Sequence, residues 1–74
     1  MTLQKIMDST PVEWSRTYIG DYVGSGFSHS YLIGLDGDVY VLRWYMLEWL
    51  NKEEFKSFNE DLIIDKINEL EGIN

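Results

Sequence analysis

The chain has no cysteine, one proline, one histidine and only six lysines and arginines. Without cysteine, neither a disulfide nor a thiolate metal site can hold a small domain together. No apolar run approaches the roughly 20 residues of a membrane span. The N-terminus lacks the basic, apolar and small-residue segments of a signal peptide. These absences lead us to expect a soluble, cytoplasmic protein without a membrane partner. The six cations stand against thirteen acids, for a net charge of −7. Such a surface repels phosphate backbones, so no direct nucleic-acid partner is expected. The same charge would attract a basic protein, including one that normally binds nucleic acid, and it also serves plain solubility.

What the chain does have is aromatic bulk: three tryptophans, five tyrosines and three phenylalanines in 74 residues. A chain this short forms one domain, 1–74, and buries only about 60% of its unfolded surface. Large aromatic side chains are the means of enlarging that core. The pattern predicts an α+β fold: a short N-terminal helix, a three-stranded antiparallel sheet and a long C-terminal helix. The N-terminal helix covers about residues 2–8, with Leu3, Ile6 and Met7 on one face, and stops before Pro11. β-Branched and aromatic residues are dense from Val12 to Val23, which predicts a first strand over about 12–23. Strands at about 28–35 and 38–45 flank Asp36-Gly37, the signature of a two-residue type I′ hairpin. That turn would pair Ile33 with Tyr40, Tyr31 with Leu42 and His29 with Trp44 on an apolar face. Leu32 would pair with Val41, Gly34 with Val39 and Ser30 with Arg43 on the other.

Residues 45–50 read as a short helix or a packed connection. A helix over about 51–71 follows, opened by a capping-box arrangement of Asn51 and Glu54 and closed by Gly72 at C′. Its apolar stripe is Phe55, Phe58, Leu62, Ile63, Ile67 and Leu70. Ile64 lies opposite and would be exposed.

Chemistry concentrates in residues 24–44, GSGFSHSYLIGLDGDVYVLRW. A Gly-x-Gly turn between strands lets phosphate approach backbone N–H groups, because no Cβ intervenes. Arg43, on the face of Ser28 and Ser30, is a cation beside that loop. Glu60 could point inward from the helix and orient it. The same residues have plainer readings. The glycines suit a loop of positive φ, Arg43 suits a surface ion pair, and His29 facing Trp44 suits packing. Asp36 and Asp38 suit the turn, and the helix carboxylates suit a solvated face.

The order Gly24-Ser25-Gly26-Phe27-Ser28, Tyr31-Leu32, Asp36-Gly37, Tyr40-Val41-Leu42-Arg43 and then a Glu-bearing helix resembles the N-terminal small lobe of the aminoglycoside phosphotransferase and choline kinase family. The resemblance covers about residues 18–74. It implies that Gly24, Ser25, Gly26, Phe27 and Ser28 cover nucleotide phosphates and that Val41 lines the adenine side. It further implies that Arg43 holds phosphate and Glu60 orients Arg43. ATP with magnesium would be the cofactor if a second lobe were supplied. The family's catalytic Asp lies in that second lobe. His29 is the only histidine here, so no His-x-Asp segment is present, and the chain alone would not be catalytic. It would be a nucleotide-binding remnant or a partner acting in trans.

In size, charge and layout the chain is also similar to small acidic phage inhibitors of the anti-CRISPR or DNA-mimic type. That likeness implies a protein partner with a basic site, met by Glu53, Glu54, Asp61 and Asp65 in a salt-sensitive contact.

Overall fold

The computed structural model describes residues 3–36, 39–46, 52–57 and 60–73. The fold is α+β. Its elements run α1 (Leu3–Ser9), β1 (Glu13–Arg16), β2 (Tyr22–Ser25), β3 (His29–Asp36), β4 (Val39–Met46), β5 (Lys52–Ser57) and α2 (Glu60–Leu70). The five strands form one antiparallel sheet in the order β1-β2-β3-β4-β5, where the sequence had suggested three. Among the described residues no helix is long and apolar enough to cross a membrane.

Two revisions account for the added strands. The first is that the run expected at 12–23 is a hairpin. It folds at Thr17–Asp21, where the Thr17 amide donates to the Asp21 carbonyl (2.8 Å) and the Gly20 amide to the Thr17 carbonyl (3.1 Å). Gly20 has φ +101°, a conformation that costs glycine little. Tyr18 and Ile19 at the tip carry the composition of a strand, and this hid the turn.

The second revision concerns the expected helix over 51–71. Residues 52–57 form β5, and only 60–70 are helical. Glu54 therefore belongs to a strand and not to a capping box, and Asn51 lies outside the described residues, as do the 47–50 part of the expected connection and Phe58. Lys-Glu-Glu favours helix locally, but β4 offers a row of backbone groups to pair. Tyr40 through Tyr45 are in register with Ser57 through Lys52. Tertiary pairing outweighs a weak local preference.

The β3–β4 register also differs from the expected one. Asp36 pairs with Val39, Ile33 with Leu42, Tyr31 with Trp44 and His29 with Met46, while Leu32 meets Arg43, Gly34 meets Val41 and Ser30 meets Tyr45. The two intervening residues are then Gly37-Asp38, which lie outside the described residues. A shift of two residues preserves side-chain parity, so the face assignment stands even though the partners changed.

Tyr31, Ile33, Tyr40, Leu42 and Trp44 line the core, with Ile63, Ile64 and Ile67 of α2 and Ile6 of α1 packed upon them. Ile64 is buried rather than exposed, in the core cluster that Ile6 of α1 also joins, while Leu62 is 52% exposed. The inward stripe of α2 is thus rotated from the expected one. Met7 of α1 is half-buried. Beyond α1, Thr10 donates its hydroxyl to the Ile6 carbonyl (2.8 Å) and accepts from the Trp14 indole N–H (3.0 Å). These bonds tie the helix end to the first strand.

Candidate functional site

The helix α2 ends in a Schellman motif. The Ile73 amide donates to the Asn68 carbonyl (2.9 Å) and the Gly72 amide to the Glu69 carbonyl (3.2 Å), with Gly72 at φ +80°. This is the expected glycine stop, with the orphan carbonyls of the last turn satisfied. It fixes Glu71 at the helix end, facing the β2–β3 loop.

That loop is closed by the Gly26 amide donating to the His29 carbonyl (3.0 Å). The next two amides turn toward a single anion. Phe27 donates to Glu71 Oε1 at 2.6 Å, and Ser28 reaches the same oxygen at 3.4 Å. The Tyr31 hydroxyl donates to Glu71 Oε2. The glycine loop therefore does cradle an anion, and the anion is the chain's own carboxylate. A Cβ on Gly26 would stand 2.5–2.9 Å from the Glu71 carboxylate atoms, so glycine is what permits this close approach.

Tyr31 is almost fully buried. Burial first, then its hydrogen bond to Glu71 and that carboxylate's charge, raise its pKa far above the usual 10.0. The folded state thus favours the neutral phenol. The stability tied to this preference is complete below about pH 10 and is lost as pH rises beyond it. Urea midpoints should therefore fall between about pH 10 and 12, and fall less steeply in Tyr31→Phe. Equal slopes in the two proteins would show that Tyr31 is not the group responsible. Tyr40 is shifted in the same direction, by burial and by Glu60.

The other expected nucleotide-site residues are dispersed. Gly24 lies within β2, and a Cβ there would meet the Trp14 ring at 2.6 Å and Val12 Cγ1 at 2.7 Å. Its lack of a side chain serves the core. Ser25 is exposed opposite Glu13 and Ser30, and Phe27 is 84% exposed. Arg43 and Val41 alternate with Leu42 and Trp44, so they lie on the sheet face away from α2, where Arg43 is in register with Leu32 and Glu54. Glu60 opens α2 on the opposite side, and the Tyr40 hydroxyl donates to it at 3.4 Å. The sheet therefore stands between Arg43 and Glu60, and the expected pairing of the two does not form. An arginine on an odd strand position and a helix packed on the even positions cannot meet.

The acidic candidates also divide. Glu53 and Glu54 belong to β5, and Asp61 and Asp65 to α2. Asp61 pairs with Lys5 at 2.8 Å. Asp61, Asp65 and Glu69, spaced i, i+4, i+8, form an exposed row along α2 beside Leu62. Lys66, next to this row, contacts Glu69 at 3.3 Å and lies 5.4 Å from the Trp44 ring centroid.

His29 is buried with its ring 6.3 Å from that of Tyr31, and its Nδ1 has no hydrogen-bond partner among the described residues. Packing was expected of it, and its burial agrees with that. Among the described residues no group of three or more His, Cys, Asp or Glu side chains could hold a metal ion. Glu71 and the Tyr31 hydroxyl were missed from sequence. The clue was a carboxylate directly before the Gly72 stop, which the helix end must aim somewhere. Its target lies 44 residues earlier. No family model, no curated protein and no solved structure matches the chain.

Proposed function

We propose that the chain is an acidic interaction module that binds a protein carrying a basic site. The observation that carries this reading is the exposed carboxylate row Asp61, Asp65 and Glu69 on α2, which outnumbers the two lysines, Lys5 and Lys66, that meet Asp61 and Glu69, and which is flanked by exposed Leu62. The overall charge of −7 adds to it. A row of like charges spaced about 6 Å apart along a rigid helix suits a cationic groove. By contrast, the amide donors that would serve a nucleotide phosphate are engaged by Glu71, and the cation and carboxylate of the small-lobe pattern are on opposite faces. Both features weigh against nucleotide binding as the chain's role.

The test is affinity capture from lysate at low salt and at about 0.5 M salt, where exposed charges are screened within a few Å. A basic partner released by salt is expected. The double variant Asp65→Lys/Glu69→Lys, which alters only exposed positions, should weaken capture about tenfold or more. A partner held equally by both proteins and at both salt concentrations would defeat the reading.

A further inference from the structure

We infer that the cleft between the start of β1 and the β2–β3 loop receives one cationic side chain, lysine or arginine, of the partner protein. This inference rests on the interaction reading above and adds to it a second point of contact, away from α2.

The cleft holds about 260 Å³ and is lined by Pro11, Glu13, Ser25, Gly26 and Phe27. Sites for drug-sized ligands run to roughly 300–1,000 Å³, so this one suits a single extended side chain and not a nucleotide. Its walls are held by bonds outside it. Pro11 follows Thr10, whose hydroxyl is bonded to the Ile6 carbonyl and the Trp14 indole. The Gly26 amide donates to the His29 carbonyl (3.0 Å) and the Phe27 amide to Glu71 (2.6 Å). Phe27 itself is 84% exposed, so the core gains little from an aromatic residue there. A cation gains more. Its alkyl stem can lie along Pro11 and Phe27 while its charged head meets the ring face and the Glu13 carboxylate. Because the walls are already fixed, little ordering cost falls on binding.

The charge around the cleft selects the sign of the occupant. Glu13 is exposed and has no hydrogen bond or ion pair among the described residues. A second carboxylate, that of Glu71, stands beside Gly26. The cations of the chain lie elsewhere. Arg16 is three residues along β1 and so on its other face, with its guanidinium carbon 5.7 Å from the Tyr22 ring centroid. Lys5 meets Asp61 and Lys66 meets Glu69. Arg43 belongs to β4, and Lys52 and Lys56 to β5, two and three strands beyond β2. An anion would be repelled from such a cleft and a cation drawn to it.

The test is an NMR titration of the chain with n-butylammonium chloride, and with n-butanol as the uncharged control. The expected result is saturable shifts of the Glu13, Ser25, Gly26 and Phe27 amides with the cation and not with the alcohol. Glu13→Gln and Phe27→Leu change exposed side chains and should melt with the parent. Each should weaken the cation's binding about threefold. Shifts that butanol reproduces, shifts confined to Asp61, Asp65 and Glu69, or an affinity unchanged in Glu13→Gln overturn the site. The double variant Glu13→Gln/Phe27→Leu should then capture the partner protein about tenfold less well than the parent. Capture equal to the parent's, with Asp65→Lys/Glu69→Lys still defective, overturns the cleft as a contact and leaves the acidic-helix reading intact. Capture that salt does not affect defeats the underlying reading, and the partner's place in the cleft with it.

Discussion

Replacing Gly24 with alanine should destabilise the domain by about 1–3 kcal/mol, the usual cost of forcing atoms into a packed core. In a domain of this size that lowers the melting temperature by about 4–8 °C for each kcal/mol. The new Cβ would lie 2.6 and 2.8 Å from Trp14 ring carbons and 2.7 Å from Val12 Cγ1. The indole cannot simply withdraw. Its N–H is bonded to Thr10, and its ring packs 6.1 Å from that of Tyr31. The direction of the effect is informative, because Gly24 does not have positive φ. An alanine in open space there would stabilise the protein by about 0.4–1 kcal/mol through the unfolded chain. A gain in the urea midpoint would mean that Trp14 does not cover Gly24. A loss would assign this glycine to the core and not to a ligand loop.

Glu71→Ala should cost about 1–3 kcal/mol in chemical denaturation. The change removes the acceptor of three donors, and they respond differently. The Phe27 and Ser28 amides are at the surface and can turn to water. The Tyr31 hydroxyl belongs to a residue only 1% exposed, and it loses its partner in place. Glu71→Gln keeps a carbonyl acceptor and should cost less than half as much. Hydrogen exchange supplies the local readout, with the Phe27 and Ser28 amides losing protection in Glu71→Ala. In a double-mutant cycle, Glu71→Ala and Tyr31→Phe should be clearly non-additive, because they remove the same bond. Additive losses with unchanged exchange would show that the cradle does not form in solution.

Legibility followed the range of the interactions. Period-two alternation placed Tyr31, Ile33, Tyr40, Leu42 and Trp44 on the core face, and it survived a two-residue error in register because parity is unaffected. Gly72 was read as a helix stop because its cause is local. The turn at Thr17–Asp21 was not read, because Tyr18 and Ile19 look like strand residues when their exposure is unknown. Lys52–Ser57 was not read as a strand because its pairing with β4 is decided by the edge that β4 offers. For the loop, glycine spacing disclosed that an anion approaches the backbone. Its identity depended on where a helix starting nine residues later than expected would end.

The strand order of the sheet is the order of the sequence. Each strand therefore finds its partner in the segment just made, and the sheet can grow hairpin by hairpin with little chain entropy lost at each step. The cradle is of another kind, since Glu71 must cross 44 residues to reach Phe27. Its natural place is after the sheet exists, as α2 docks and its end locks onto the second hairpin. A contact formed that late governs how slowly the protein comes apart more than how quickly it assembles. On this order Glu71 would act as a clasp: Glu71→Ala should speed unfolding more than it slows folding, while changes within the successive hairpins should act on the folding rate.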